Sequence, residues 1–72
     1  MGAPTAQEAT YMRAAEIANA LLGDGLPLLG YGAHGGKLSI TFILDGKTSC
    51  VALLPEADAT PERFRELYEA VK

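Results

Sequence analysis

The dipeptide Asp45-Gly46 lies in the middle of an alternating, β-branched stretch spanning residues 37–54. A chain with that pattern is committed to an antiparallel hairpin at its centre, because Asp-Gly is a preferred pair for a type I′ turn, in which both central residues need positive φ. With a two-residue loop the register follows: Leu44 opposite Lys47, Phe42 opposite Ser49, Ile40 opposite Val51 and Leu38 opposite Leu53. Those pairs share one face. The reverse face then carries Ile43 with Thr48, Thr41 with Cys50, and Ser39 with Ala52.

Amphipathic helices flank this ribbon. Thr5-Ala6-Gln7-Glu8 matches the capping box, in which the threonine hydroxyl accepts from the N3 amide and the glutamate reaches back to the cap amide. A helix is expected from there to about Leu22, with Tyr11, Ala14, Ala15, Ile17, Ala18, Leu21 and Leu22 on its apolar side. Gly23, followed by Asp24-Gly25, offers the left-handed residue that ends helices. Residues 26–33 contain Pro27, Gly30 and Gly32 and read as a short edge strand. After a linker over residues 55–59, Thr60-Pro61 provides a cap and a first-position proline. Phe64, Leu67, Tyr68 and Val71 follow at helical spacing. The expected fold is α+β, in the order α-β-β-β-α, with a three-stranded antiparallel sheet and both helices packed on one face. Residues 1–4 are expected to be a flexible leader and residues 5–72 a single domain.

With 72 residues the chain buries only about 60% of the surface its unfolded form exposes, so its stability margin is thin. Cys50 is the only cysteine, which excludes an intrachain disulfide and a thiolate zinc site. Such a small core leans on packing or on association. No apolar run approaches the roughly 20 residues that span a bilayer, and no basic segment precedes a hydrophobic one near the N-terminus. The expected location is therefore cytoplasmic. A formal charge of −3 sets the chain against phosphate polymers at long range.

The motifs that could carry chemistry are incomplete. Gly30-Tyr31-Gly32-Ala33-His34-Gly35 satisfies GxGxxG, but a dinucleotide fold needs a helix directly after the glycines, and here a strand follows. His34 is the only histidine, and a general base needs a partner acid or nucleophile; the only thiol, Cys50, belongs to mid-strand. Glu56, Asp58, Glu62, Glu66 and Glu69 cluster near the last helix, with Arg63, Arg65 and Lys72 interleaved, which is the pattern of a solvated face. No regularly spaced calcium loop appears. No catalytic residue, cofactor or metal ligand is expected.

The order helix, three antiparallel strands, helix resembles the double-stranded-RNA-binding domain, and Lys47-Thr48-Ser49-Cys50 looks like that family's third strand. The resemblance implies a nucleic-acid-binding surface built on a lysine-rich start to the last helix. The equivalent residues here are Thr60-Pro61-Glu62-Arg63, with Glu56 and Asp58 just upstream, so the gripping charge is missing.

The expected function is accordingly that of a non-enzymatic protein-interaction module, an inhibitor or accessory factor that acts by binding another protein or a second copy of itself. Its contact residues would be Thr41, Ile43, Thr48 and Cys50, with Ala52, on the uncovered sheet face, widened by Tyr31 or Leu29 according to the first strand's register, together with Glu62, Glu66 and Glu69 on the last helix. Two alternatives stand beside it. One is a degenerate nucleic-acid-binding domain, which needs Arg13, Lys37, Lys47, Arg63 and Arg65 on one side. The other is a small-ligand or phosphate binder through the glycine loop around His34.

Overall fold

A computed structural model describes residues 5–72; the leader expected over residues 1–4 lies outside them. Helix α1 (Ala6–Gly23) is followed by strands β1 (Leu28–His34), β2 (Lys37–Ile43) and β3 (Ser49–Pro55), a 3-10 turn (Glu56–Asp58) and helix α2 (Pro61–Val71). The strands form one antiparallel sheet in the order β1-β2-β3, and both helices pack against it, so the α+β architecture read from the sequence is the one adopted.

The helix starts form as their sequences dictate. Thr5 Oγ1 accepts from Glu8 N at 3.1 Å, and Thr60 Oγ1 accepts from Arg63 N at 3.2 Å with Pro61 in the first turn. The Glu8 carboxylate accepts from the Thr5 hydroxyl at 3.2 Å. At the other end of α1 the left-handed residue is Gly25 (φ +86°), not Gly23. Leu26 N donates to Leu21 O and Gly25 N to Leu22 O, the paired bonds of a Schellman motif. Leu26 is thereby folded back against the core beside α1.

The buried stripe of α1 is Thr10, Ala14, Ile17, Ala18 and Leu21, while Tyr11 and Leu22 are exposed. Ala14 and Ala18 are small enough to bring the helix down onto Leu38, Ile40 and Phe42 of the central strand, all fully buried. Helix α2 sinks only Phe64 completely, with Leu67 and Tyr68 half-buried beside it. Tyr68 stacks on Phe42 with ring centroids 5.0 Å apart. Polar links tie the two helices: Arg65 pairs with Asp24, and Arg13 Nη2 donates to Ala59 O at 3.3 Å.

The type I′ turn expected at Asp45-Gly46 is found instead at Gly35-Gly36. Gly35-Gly36 joins β1 to β2 as a two-residue loop between the paired residues His34 and Lys37, with φ of +55° and +79°. That is the type I′ signature. Gly46 takes no positive φ; among the described residues positive φ occurs at Gly25, Gly35 and Gly36. Asp45 acts through its side chain instead, with Oδ1 accepting from Lys47 N at 2.8 Å and Thr48 N at 2.9 Å. Leu44 N donates to Thr48 O at 2.8 Å, so the loop closes over three residues.

The extra loop residue shifts β3 by one position against the expected register. Ile43 faces Ser49, Phe42 faces Cys50, Ile40 faces Ala52 and Leu38 faces Leu54. Because side chains alternate along a strand, a one-residue slip exchanges the two faces of β3. Cys50, Ala52 and Leu54 turn toward the helices, and Val51 and Leu53 toward the open side. Proline gives a physical reason. In the expected register Pro55 would sit opposite Gly36 in a hydrogen-bonded pair, with no N–H to offer; in the observed one Glu56 N supplies that bond to Gly36 O at 3.1 Å.

Gly36→Ala should destabilise the domain by about 1–2 kcal/mol, since only a left-handed φ opposes the methyl group and nothing lies near it. Gly46→Ala, also in open space but without positive φ, should shift the urea midpoint little. Equal shifts at the two glycines would contradict the turn assignment. The Lys47 amide, and after it the Thr48 hydroxyl and amide, hold the Asp45 carboxyl below its ordinary value of 3.8. A folded-state value below the unfolded one adds stability above the ordinary value, and that contribution is lost as pH falls through the folded-state value. Thermal unfolding of Asp45→Ala should accordingly lose part of the wild-type acid dependence, and side-chain NMR titration of Asp45 should show the depressed midpoint.

Candidate functional site

The helices cover one face of the sheet and leave the other bare. Its centre is the outward row of β2, where Ser39 is buried and Thr41 and Ile43 are half-buried. On one side the register places Val51 (61% exposed) and Leu53 (48% exposed) next to this row. On the other side Leu29 (67% exposed) stands at a bulge where the pairing shifts between Leu28 and Gly30. Leu29 and Ile43 meet the Asp45–Ser49 turn in a shallow depression at one end of the face. Gly30 and Gly32 keep the β1 portion low, and a Cβ on Gly32 would come within 3.2 Å of Ser39 Oγ and 3.4 Å of His34 Nε2.

The expected contact residues are therefore divided. Thr41 and Ile43 are on the open face, and Thr48 is at its rim in the turn. Cys50 is not: it pairs with Phe42 and lines a groove between β3 and α2 with Ala52, Leu67, Ala70 and Val71. Tyr31 pairs with Ile40 and turns toward α1, where it meets Tyr11 at 5.3 Å between ring centroids. The Tyr11 phenol holds Tyr31 above its ordinary ionisation value of 10.0. Val51 and Leu53 were missed as face residues because their position depends on the β3 register. Pro55 was the signal that could have recovered it.

The acidic residues of α2 are exposed and largely engaged within the helix. Glu66 pairs with Arg63 at 3.4 Å and Glu69 with Lys72 at 3.1 Å, both between partners spaced i,i+3. Pairs this exposed contribute little to stability and leave a nearly balanced surface. The basic residues do not converge either: Arg13 and Arg65 are turned to the α1–α2 contact, and Lys37 and Lys47 lie at opposite ends of the sheet. His34 and Cys50 project from opposite faces. Among the described residues no group of three or more His, Cys, Asp or Glu side chains is placed to hold a metal ion, and no helix is long and apolar enough to cross a membrane.

The glycines of the GxGxxG string serve the sheet. Gly30 follows the bulge, Gly32 makes room for Ser39 and His34, and Gly35 opens the turn; a strand, not a helix, comes next. No protein-family model, curated protein or solved structure matches this chain. The likeness to the double-stranded-RNA-binding domain thus rests on the order of the elements and on residues 47–50.

Proposed function

We propose that this chain is a protein-interaction module that binds through the open face of its sheet. One observation carries the reading: Leu29, Val51 and Leu53 are exposed on a face whose central row is Thr41 and Ile43, with the charged Lys37 standing only at the far end of that row. A contiguous apolar patch on a small domain marks a surface that gains by being covered. The shift of β3 strengthens the reading, since it replaces Cys50 and Ala52 on this face with two larger aliphatic side chains. Binding here asks for no chemistry beyond desolvation and shape, which fits an inhibitor or accessory factor acting by occupation of a partner's surface.

The test uses two substitutions at exposed positions, Leu29→Glu with Leu53→Glu, which should leave the circular dichroism spectrum unchanged. In quantitative affinity capture the wild-type chain should retain a protein that the double variant loses, and the same two purified proteins should bind in titration calorimetry. An identical set of captured proteins for both chains counts against the open face. Retention of nucleic acid with a steep salt dependence would replace the reading altogether.

A further inference from the structure

The two edges of the sheet are treated differently. The β1 edge is blunted: Pro27 precedes it, a bulge breaks its pairing after Leu28, the Gln7 side chain donates to Ala33 O, and Tyr11 stacks on Tyr31. These are the devices by which edge strands avoid pairing with other chains. The β3 edge has no proline, bulge or covering helix side chain over residues 49–54, which read Ser-Cys-Val-Ala-Leu-Leu and pair without a break; only the Cys50 thiol, at a long 4.0 Å, approaches an outward carbonyl, that of Val51.

The backbone groups on that edge can be assigned. Leu44 N donates to Thr48 O at one end of the β2–β3 ladder, and Glu56 N donates to Gly36 O at the other. Hydrogen-bonded pairs in an antiparallel ladder recur at every second residue, so Cys50, Ala52 and Leu54 bond to β2. The N–H and C=O groups of Ser49, Val51 and Leu53 point outward, away from the sheet. Pro55, which has no N–H, comes next on the outward side and ends the row.

We propose, building on the reading of the chain as an association module, that β3 pairs antiparallel with β3 of a second copy about a two-fold axis at Val51. Val51 then faces Val51 of the other copy, and Ser49 faces Leu53. Each outward amide meets an outward carbonyl, so no donor of the row is left over. The two three-stranded sheets become one continuous sheet. Pro55 falls opposite Lys47, just beyond the ladder, where its missing N–H costs nothing. The same register brings Lys47 of one copy alongside Glu56 of the other, so the charges at the two ends of the strand are complementary.

Side chains on both faces favour the same occupant. On the open face Val51 and Leu53 of the two copies form one apolar stripe across the junction. On the helix face the groove of about 250 Å³ between β3 and α2 opens along this edge, lined by Cys50, Ala52, Leu67, Ala70 and Val71. The two-fold sets it against its own mate, covering Val71, which is exposed in the single chain.

Light scattering on the intact chain should give a mass twice 7.6 kDa, and a 72-residue chain is short enough to synthesise with a single N-methyl group on the Val51 amide. That group removes one outward donor and touches nothing inside the domain, so helical and strand signals should persist while the dimer dissociates at least about tenfold more readily. N-methylation at Tyr31, on the blunted edge, and Leu29→Glu, on the open face across β2 from the paired edge, should both leave the dimer intact. Amide exchange at Ser49, Val51 and Leu53 should slow as concentration rises. A wild-type monomer at all concentrations, or unprotected amides at these positions, would overturn the pairing. A dimer that resists N-methyl Val51 but is lost in Leu29→Glu would also overturn it, while leaving association through the open face standing.

Discussion

Phe64→Ala should unfold the domain or leave it marginal. Phe64 is the only fully buried side chain of α2, and it seats the helix in the same core as Phe42, Leu21 and Ala18. Truncating a buried phenylalanine costs about 3–5 kcal/mol, as transfer free energy is lost and a cavity remains. A chain of this length has roughly 4–11 kcal/mol in all at the usual stability per residue. The remaining contacts of α2 cannot compensate, because Leu67 and Tyr68 are only half-buried and its ion pairs are exposed. Urea unfolding followed by circular dichroism should show a midpoint shifted to low denaturant or no folded baseline. Loss of the Tyr68 contact with Phe42 should appear first, as a change in tyrosine fluorescence. A shift smaller than that of Gly36→Ala would mean that α2 is not anchored as described.

Leu54→Asp and Leu53→Asp, one residue apart, should behave in opposite ways. Leu54 is 8% exposed, faces Leu38 and belongs to the core, whereas Leu53 is 48% exposed and faces Ser39 on the open side. An aspartate at 54 removes a buried leucine and puts an unpaired carboxylate in its place, at a cost of about 4 kcal/mol or more. At 53 the carboxylate stays in water in the single chain, and at dilutions where the chain is monomeric the change should lie within about 1 kcal/mol. The comparison reads the strand register directly, because a ladder displaced by one position reverses the order of the two effects. Thermal melts of both variants at neutral pH decide it: Leu53→Asp should melt near the wild type, and Leu54→Asp should show no cooperative transition.

This pair also explains where sequence reading succeeds and where it stops. The helix starts were legible because a cap is chemistry between neighbours: Thr5 with Glu8, and Thr60 with Pro61 and Arg63, need only residues within one turn. The core face of β2 was legible for a similar reason. Leu38, Ile40 and Phe42 alternate with Ser39 and Thr41, and all three are buried against the helices, although Ser39 on the other face is buried as well. The element order and the single-sided placement of the helices then follow, because each helix offers one apolar stripe and the sheet one fully apolar row.

The candidate surface was less legible. Thr41 and Ile43 lie on β2, whose facing was secure, and they are where they were expected. Cys50, Val51, Ala52 and Leu53 lie on β3, whose facing depends on whether Asp45-Gly46 takes two loop residues or three. Both loops use an aspartate well, one through its backbone at positive φ and the other through a side chain that accepts two amides. Local chemistry alone leaves that choice nearly balanced.

What the sequence determined by itself was therefore the set of elements, their order, their caps and the buried face of the central strand, all of which rest on contacts within a few residues. What only the tertiary structure decided was the one-residue slip of β3, the location of positive φ at Gly25, Gly35 and Gly36, and thus which side chains the open face and the free edge present. Those depend on how Ala52, Leu54, Phe64 and Tyr68 fit together under two helices and on which amide can reach Gly36 across the ladder. Packing is a property of residues far apart in the chain, and no pattern read along the chain contains it.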